Sequence, residues 1–83
     1  MVQEISATSG IVIQLSTIGR YNKGRVQVTL RGTDFIIRHF ELFAKDYDMV
    51  RSVLMPSLLT HNIIKLYYNE RNEFNEIVAC SNQ

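Results

Sequence analysis

A single stretch of this chain, Asp46–Asn62, carries a helical rhythm, and strand-like segments lie on both sides of it. Met49, Val50, Val53, Leu54 and Leu58 recur at spacings of three and four, which makes one apolar stripe along a helix. Asp46 suits the N-cap, and Asp48 adds negative charge in the first turn, where the helix dipole favours it. Pro56 interrupts the pattern. Inside a helix it removes a backbone donor and crowds the carbonyl of Ser52, at a cost of about 3 kcal/mol. The stretch is therefore expected to be one helix kinked over Ser52–Pro56, or a helix ending near Met55 with a second short turn from Pro56. Leu58 and Leu59 continue the apolar supply past the proline and favour the kink.

The flanking segments alternate with a period of two. Ile11–Ile18 predicts a first strand, with Ile11, Ile13 and Leu15 on one face and Val12, Gln14 and Ser16 on the other. Gly19–Gly24 has the composition of a turn. Arg25–Arg31 is the most regular strand, with Val26, Val28 and Leu30 inward and Arg25, Gln27, Thr29 and Arg31 outward. After a turn at Gly32–Asp34, Phe35–Phe43 predicts a third strand. Ile36, Phe40 and Leu42 share one face with Arg38, and Phe35, Ile37 and Phe43 share the other with His39 and Glu41. Apolar residues on both faces imply a bulge or contact with a neighbouring subunit. Ile63–Tyr68 and Phe74–Cys80 are expected as the fourth and fifth strands around a polar turn at Asn69–Glu73. Residues 1–9 are polar and small and are expected to form a flexible N-terminal arm, leaving 10–83 as a single domain.

Short connections make sequence neighbours antiparallel. Five short strands leave edges that must be covered or closed. The expected fold is mainly β (α+β): a partly closed, five-stranded antiparallel barrel with one helix between strands three and four. That is the element order of the oligonucleotide- and oligosaccharide-binding (OB) fold. An open α+β sheet with the helix on one face is the alternative.

At 83 residues, one core supplies only ~3–5 kcal/mol, so further support is expected. Cys80 is the only cysteine, so no internal disulfide can form, and no His, Cys and carboxylate cluster offers a metal. Self-association remains, with Met49, Val53, Met55, Leu59, Phe35 and Ile37 as candidate interface residues. The net charge of +1 does not point to nucleic acid or membrane, but it is unevenly placed. Residues 1–40 hold Arg20, Lys23, Arg25, Arg31 and Arg38 against Glu4 and Asp34. Carboxylates outnumber cations in residues 41–83. These are either solvated faces or the complementary faces of a head-to-tail oligomer. The start, MVQEISATSG, has neither the basic region nor the apolar run of a signal peptide, and no stretch reaches the apolar length of a membrane span. Those features favour a cytoplasmic setting as the expectation.

Catalytic signatures fail on chemistry. GRYNKGR at Gly19–Arg25 echoes a phosphate-binding loop, but Arg25 and Val26 stand where lysine and a magnesium-binding hydroxyl are required, and a strand follows instead of a helix. Cys80 with His39 or His61 could form a nucleophile and base, yet Cys80 closes an apolar strand, where a thiolate is disfavoured. His61 at the helix end suits capping. Glu70, Glu73 and Glu76 surround a turn with no carboxylate placed opposite. The chain is thus expected to be non-enzymatic and without a cofactor. A binding role is expected, with a small protein-interaction or assembly domain without any small ligand as an alternative, and two binding surfaces are candidates. Arg20, Tyr21, Lys23, Arg25, Arg31 and Arg38, with Phe35 among them, interleave cations and rings as single-strand nucleic-acid sites do. Tyr67, Asn69, Arg71 and Asn72 suit a glycan, with rings stacking on a sugar face and amides bonding hydroxyls; Tyr68 can pack either outward or into the core.

The strands IVIQLSTI and RVQVTL, the helix VRSVLMPSLL, then IIKLYY, a polar turn and a closing EIVACSN resemble the B subunits of bacterial pentameric toxins. The similarity is to the small pertussis-like and subtilase-like members, over roughly residues 10–81. It implies an OB-fold subunit without activity of its own, self-assembled into a ring whose helices line a central pore. Such a subunit binds cell-surface glycans and accompanies a separate catalytic chain. The resemblance also implies secretion, with the signal peptide removed.

Overall fold

The structure is a computed structural model that describes residues 4–18, 24–43, 47–70 and 75–83. Five strands appear among them: β1 Ser6–Ile18, β2 Arg25–Gly32, β3 Ile37–Phe43, β4 Ile64–Glu70 and β5 Asn75–Asn82. A helical stretch from Tyr47 to Thr60 lies between β3 and β4. The strands form one mixed sheet in the order β1-β2-β3-β5-β4, closed into a ring by pairing of β4 with β1. Among the described residues, no helix is long and apolar enough to cross a membrane.

The expectation of an all-antiparallel sheet is corrected here: β3 and β5 pair parallel, at Glu41↔Glu76. The reason is parity. A closed ring in which every neighbour runs antiparallel needs an even number of strands, so a ring of five must contain a parallel contact. The remaining four pairings are antiparallel.

β1 is longer than its apolar run. Ser6–Gly10 pairs with β4 and Gly10–Ile18 pairs with β2, so residues 6–9, expected in a flexible arm, belong to the sheet. Gly10 is the handover point, opposite both Gly32 and Ile64. A Cβ there would stand 2.3 Å from the Arg31 carbonyl oxygen, so only glycine allows the close approach. Just beyond, the register with β2 shifts between Val12 and Gln14. This bulge breaks the strict alternation, which set Val12 and Leu15 on opposite faces. Val12 is fully buried, Ile13 is 40% exposed, and Leu15 packs against the core.

Pro56 does not end the helix, which continues through it to Thr60. Tyr47–Met49 (α1) leads into a π-helical segment, Val50–Leu54, and then Met55–Thr60 (α2), with αR dihedrals at both junctions. The Met55 N–H donates to the Val50 carbonyl five residues back. A π turn just before the proline widens the helix where the ring would meet the Ser52 carbonyl. The expected N-cap, Asp46, and the turn at 19–23 lie outside the described residues. The helix ends at His61, which adopts the left-handed conformation (φ 62°) and donates its N–H to the Ser57 carbonyl at 2.8 Å.

Ser57 joins helix to sheet. Fully buried, its hydroxyl donates to the Asn62 carbonyl at 2.6 Å and accepts the Val12 N–H at 3.1 Å. The Val12 amide lies at the β1 bulge, and Ser57 satisfies it. The core inside the ring comprises Val12, Val26, Val28, Leu30, Phe40, Leu42, Ile64, Leu66 and Ile77, closed by Val50, Val53 and Leu54 of the helix. Val53, an expected interface residue, is therefore a core residue, and Met49 packs against the same cluster.

Candidate functional site

The turn between β2 and β3 is fixed by its own bonds. Gly32 N–H donates to the Ile36 carbonyl and Phe35 N–H to the Gly32 carbonyl, both at 2.9 Å. The Asp34 carboxylate accepts the Ile36 N–H at 3.0 Å and two guanidinium N–H groups of Arg38 at 3.2 and 3.1 Å. The Arg38 hydrogen bonds, helped by the Ile36 amide, hold the Asp34 carboxyl below its ordinary pKa. Phe35, expected to begin the third strand, instead sits in this turn with φ 65° and is 79% exposed. For a bulky residue that conformation is unfavourable, and the surrounding bonds impose it.

Phe35 flanks an open, mainly apolar depression of about 360 Å³, lined also by Gly10, Ile11, Arg31, Gly32, Thr33 and Ile63. The two glycines leave bare backbone there. Thr33 N–H donates to the Ser9 carbonyl at 3.2 Å and draws the turn onto β1. Ile63 also lines a second, more polar depression of about 540 Å³, with His61, Asn62, Asn82 and Gln83. Pairing of Ile64 with Asn82, and the Gln83 N–H on the Ile63 carbonyl at 3.3 Å, brings the end of β5 beside the helix exit. Neither depression was foreseen as a site. Asn62 and Asn82 are separated by β4 and β5, so nothing local in the sequence marks them as neighbours.

The candidate nucleic-acid residues are not brought together as free cations. Arg25 pairs with Glu41 at 3.2 Å, Arg38 is held by Asp34, and Arg31 is exposed. Arg20, Tyr21 and Lys23 lie outside the described residues. Of the glycan candidates, Asn69 is only 7% exposed, and Tyr67 is half-buried with the Lys65 Nζ 5.3 Å from its ring centroid. Arg71 and Asn72 lie outside the described residues. Tyr68 turns inward and meets Phe40 edge-on at 4.9 Å. Among the interface candidates, Leu59 (70% exposed) and Met55 (37%) stand one turn apart on the outer helix face, and Ile37 is exposed on β3.

A polar row crosses the outer face through consecutive strand partners, Gln27↔Glu41↔Glu76↔Asn69. Beside it, Thr29 and His39 are hydrogen-bonded at 3.2 Å. Cys80 is half-buried, and burial pushes its thiol up to about 11, so it is protonated at neutral pH. His61 ends the helix through its backbone, in the left-handed conformation. Among the described residues, no three His, Cys, Asp or Glu side chains converge as metal ligands do. No protein-family model and no curated protein matches this chain.

Proposed function

We propose that the chain is a non-enzymatic, self-associating binding subunit with an OB-like fold, and that its ligand is a glycan. The strand order β1-β2-β3-β5-β4 with a helix between β3 and β4 supports the OB-like assignment. Exposed Met55 and Leu59 on the helix, with Ile36 and Ile37 at the start of β3, supply apolar surface for a ring-forming interface. These positions are compatible with the arrangement implied by the toxin B-subunit resemblance, in which helices face a central pore.

The observation that carries the glycan assignment is the polar depression at the helix exit. It gathers two asparagines, a glutamine and a histidine, all exposed, around one isoleucine. Planar amides bond vicinal hydroxyls, and an apolar side chain suits the apolar face of a sugar ring. A glycan is favoured over single-stranded nucleic acid because Arg25 and Arg38 are already committed to carboxylates. The site thus moves from Tyr67 and Asn69 to Asn62 and Asn82. A glycan array followed by titration of the best saccharide tests the assignment. Asn82→Ala and Asn62→Ala should each weaken binding about tenfold, as loss of a buried ligand hydrogen bond does, while Tyr67→Ala should leave it unchanged. Absence of saccharide binding at millimolar concentration, or loss confined to Tyr67→Ala, would refute the placement.

A further inference from the structure

The apolar depression on the other side of Ile63 has a different chemistry. Ile11, Phe35 and Ile63 line it together with Gly10, Gly32, Thr33 and Arg31. Its volume, about 360 Å³, lies within the roughly 300–1,000 Å³ range of small-molecule sites. Neither of the two lining glycines accepts a side chain without local movement. A Cβ on Gly10 would meet the Arg31 carbonyl at 2.3 Å, and one on Gly32 would meet the Asp34 carboxylate at 2.4 Å.

Two further features point to a ligand. Phe35 combines a positive φ with 79% exposure. A bulky ring is thereby held, at a conformational cost, where water covers it, and such outliers gather at ligand clamps. Of the arginines on β2 and β3, Arg25 pairs with Glu41 and Arg38 with Asp34. Arg31 has no ion pair among the described residues and is exposed beside the apolar lining residues. An uncommitted guanidinium next to an aromatic and two isoleucines is complementary to a molecule with an apolar body and one anionic head.

We infer that this depression binds a small amphipathic anion, its apolar body against Phe35, Ile11 and Ile63 and its carboxylate on Arg31. The inference does not require the glycan assignment, although the two depressions share Ile63, so the two ligands would meet at that side chain.

The test uses the full chain with octanoate as probe and octanol as its uncharged counterpart, followed by amide shift perturbation. Octanoate should bind at least several-fold more tightly than octanol and perturb Gly32, Thr33 and Ile63. Arg31→Gln should weaken octanoate about tenfold and leave octanol unchanged, since it removes one charge-assisted contact. Phe35→Ala should weaken both. Melting temperatures check that the variants remain folded. Octanoate binding no tighter than octanol, or unchanged by Arg31→Gln, would overturn the inference, as would shifts confined to residues outside the depression.

Discussion

Where β1 passes from β4 to β2, every part of the junction is tight. Gly10 lies under the Arg31 carbonyl, the bulge turns Val12 and Leu15 into the core, and buried Ser57 takes the Val12 amide. Where β3 meets β5, the ring closes, among the described residues, at the single pair Glu41↔Glu76, within a polar row reaching Gln27 and Asn69. The first junction depends on steric fit and on a buried hydrogen bond that water cannot replace. The second joins two glutamates, Glu41 and Glu76, with Arg25 paired to Glu41 at 3.2 Å. The β1 junction thus brings steric fit and a buried hydrogen bond to closure, and the β3–β5 seam brings a buried polar row.

Substitutions should separate the two. Gly10→Ala is expected to have the largest effect, about 3 kcal/mol, because its Cβ would displace the Arg31 backbone rather than a movable side chain. Ser57→Ala should follow, with a loss of about 2 kcal/mol, since it leaves the Val12 amide without its acceptor. Urea unfolding measures both. A cost below that of seam substitutions would reverse the comparison. At the seam, Glu41→Gln should change stability by less than about 1 kcal/mol, loss of the Arg25 pair being offset by relief of repulsion from Glu76.

Protonation extends the comparison to two other positions. The Cys80 thiol is raised from 9.0 to about 11 in the fold. The folded state thus holds its proton longer than the unfolded chain, and stability should fall between those two pH values. Cys80→Ala should flatten that alkaline slope in melting temperature. Asp34 is shifted the other way, below its ordinary 3.8. Its contribution is present above that value and lost as pH falls through the lower folded-state value. Asp34→Asn should remove this small acid dependence, and an unaltered acid limb would show that the Arg38 contact does not matter in solution.

Much of the architecture was legible in the residues. β2 places Val26, Val28 and Leu30 in the core as its alternation predicts, but Thr29, expected in solvent, is buried at 8% exposure and hydrogen-bonded with His39. The helix appears where its apolar stripe lies, and the inward Phe40 and Leu42 follow from pattern alone. The departures have physical causes. Ring closure needs a parallel pair, which no local pattern encodes, although five strands made it unavoidable. The β1 bulge brings both Val12 and Leu15 to the core, whereas strict alternation set them on opposite faces. The π segment is a response to Pro56 that the proline alone does not specify. The candidate sites were less legible because they are tertiary. Asn62 meets Asn82 through the β4–β5 pairing, and Phe35 meets Ile63 only after the turn has bent at Gly32. The Tyr67–Asn69 region read as a surface, yet Asn69 is buried in the polar row.

Self-association of an otherwise minimal domain is the central claim, and it connects the apolar helix face to the ring-forming proposal. The direct measurement is molar mass in solution by light scattering across a tenfold concentration range. One discrete homo-oligomer, which Leu59→Asp converts to monomer without loss of the folded spectrum, is the expected result. A folded monomer at every concentration would contradict the account.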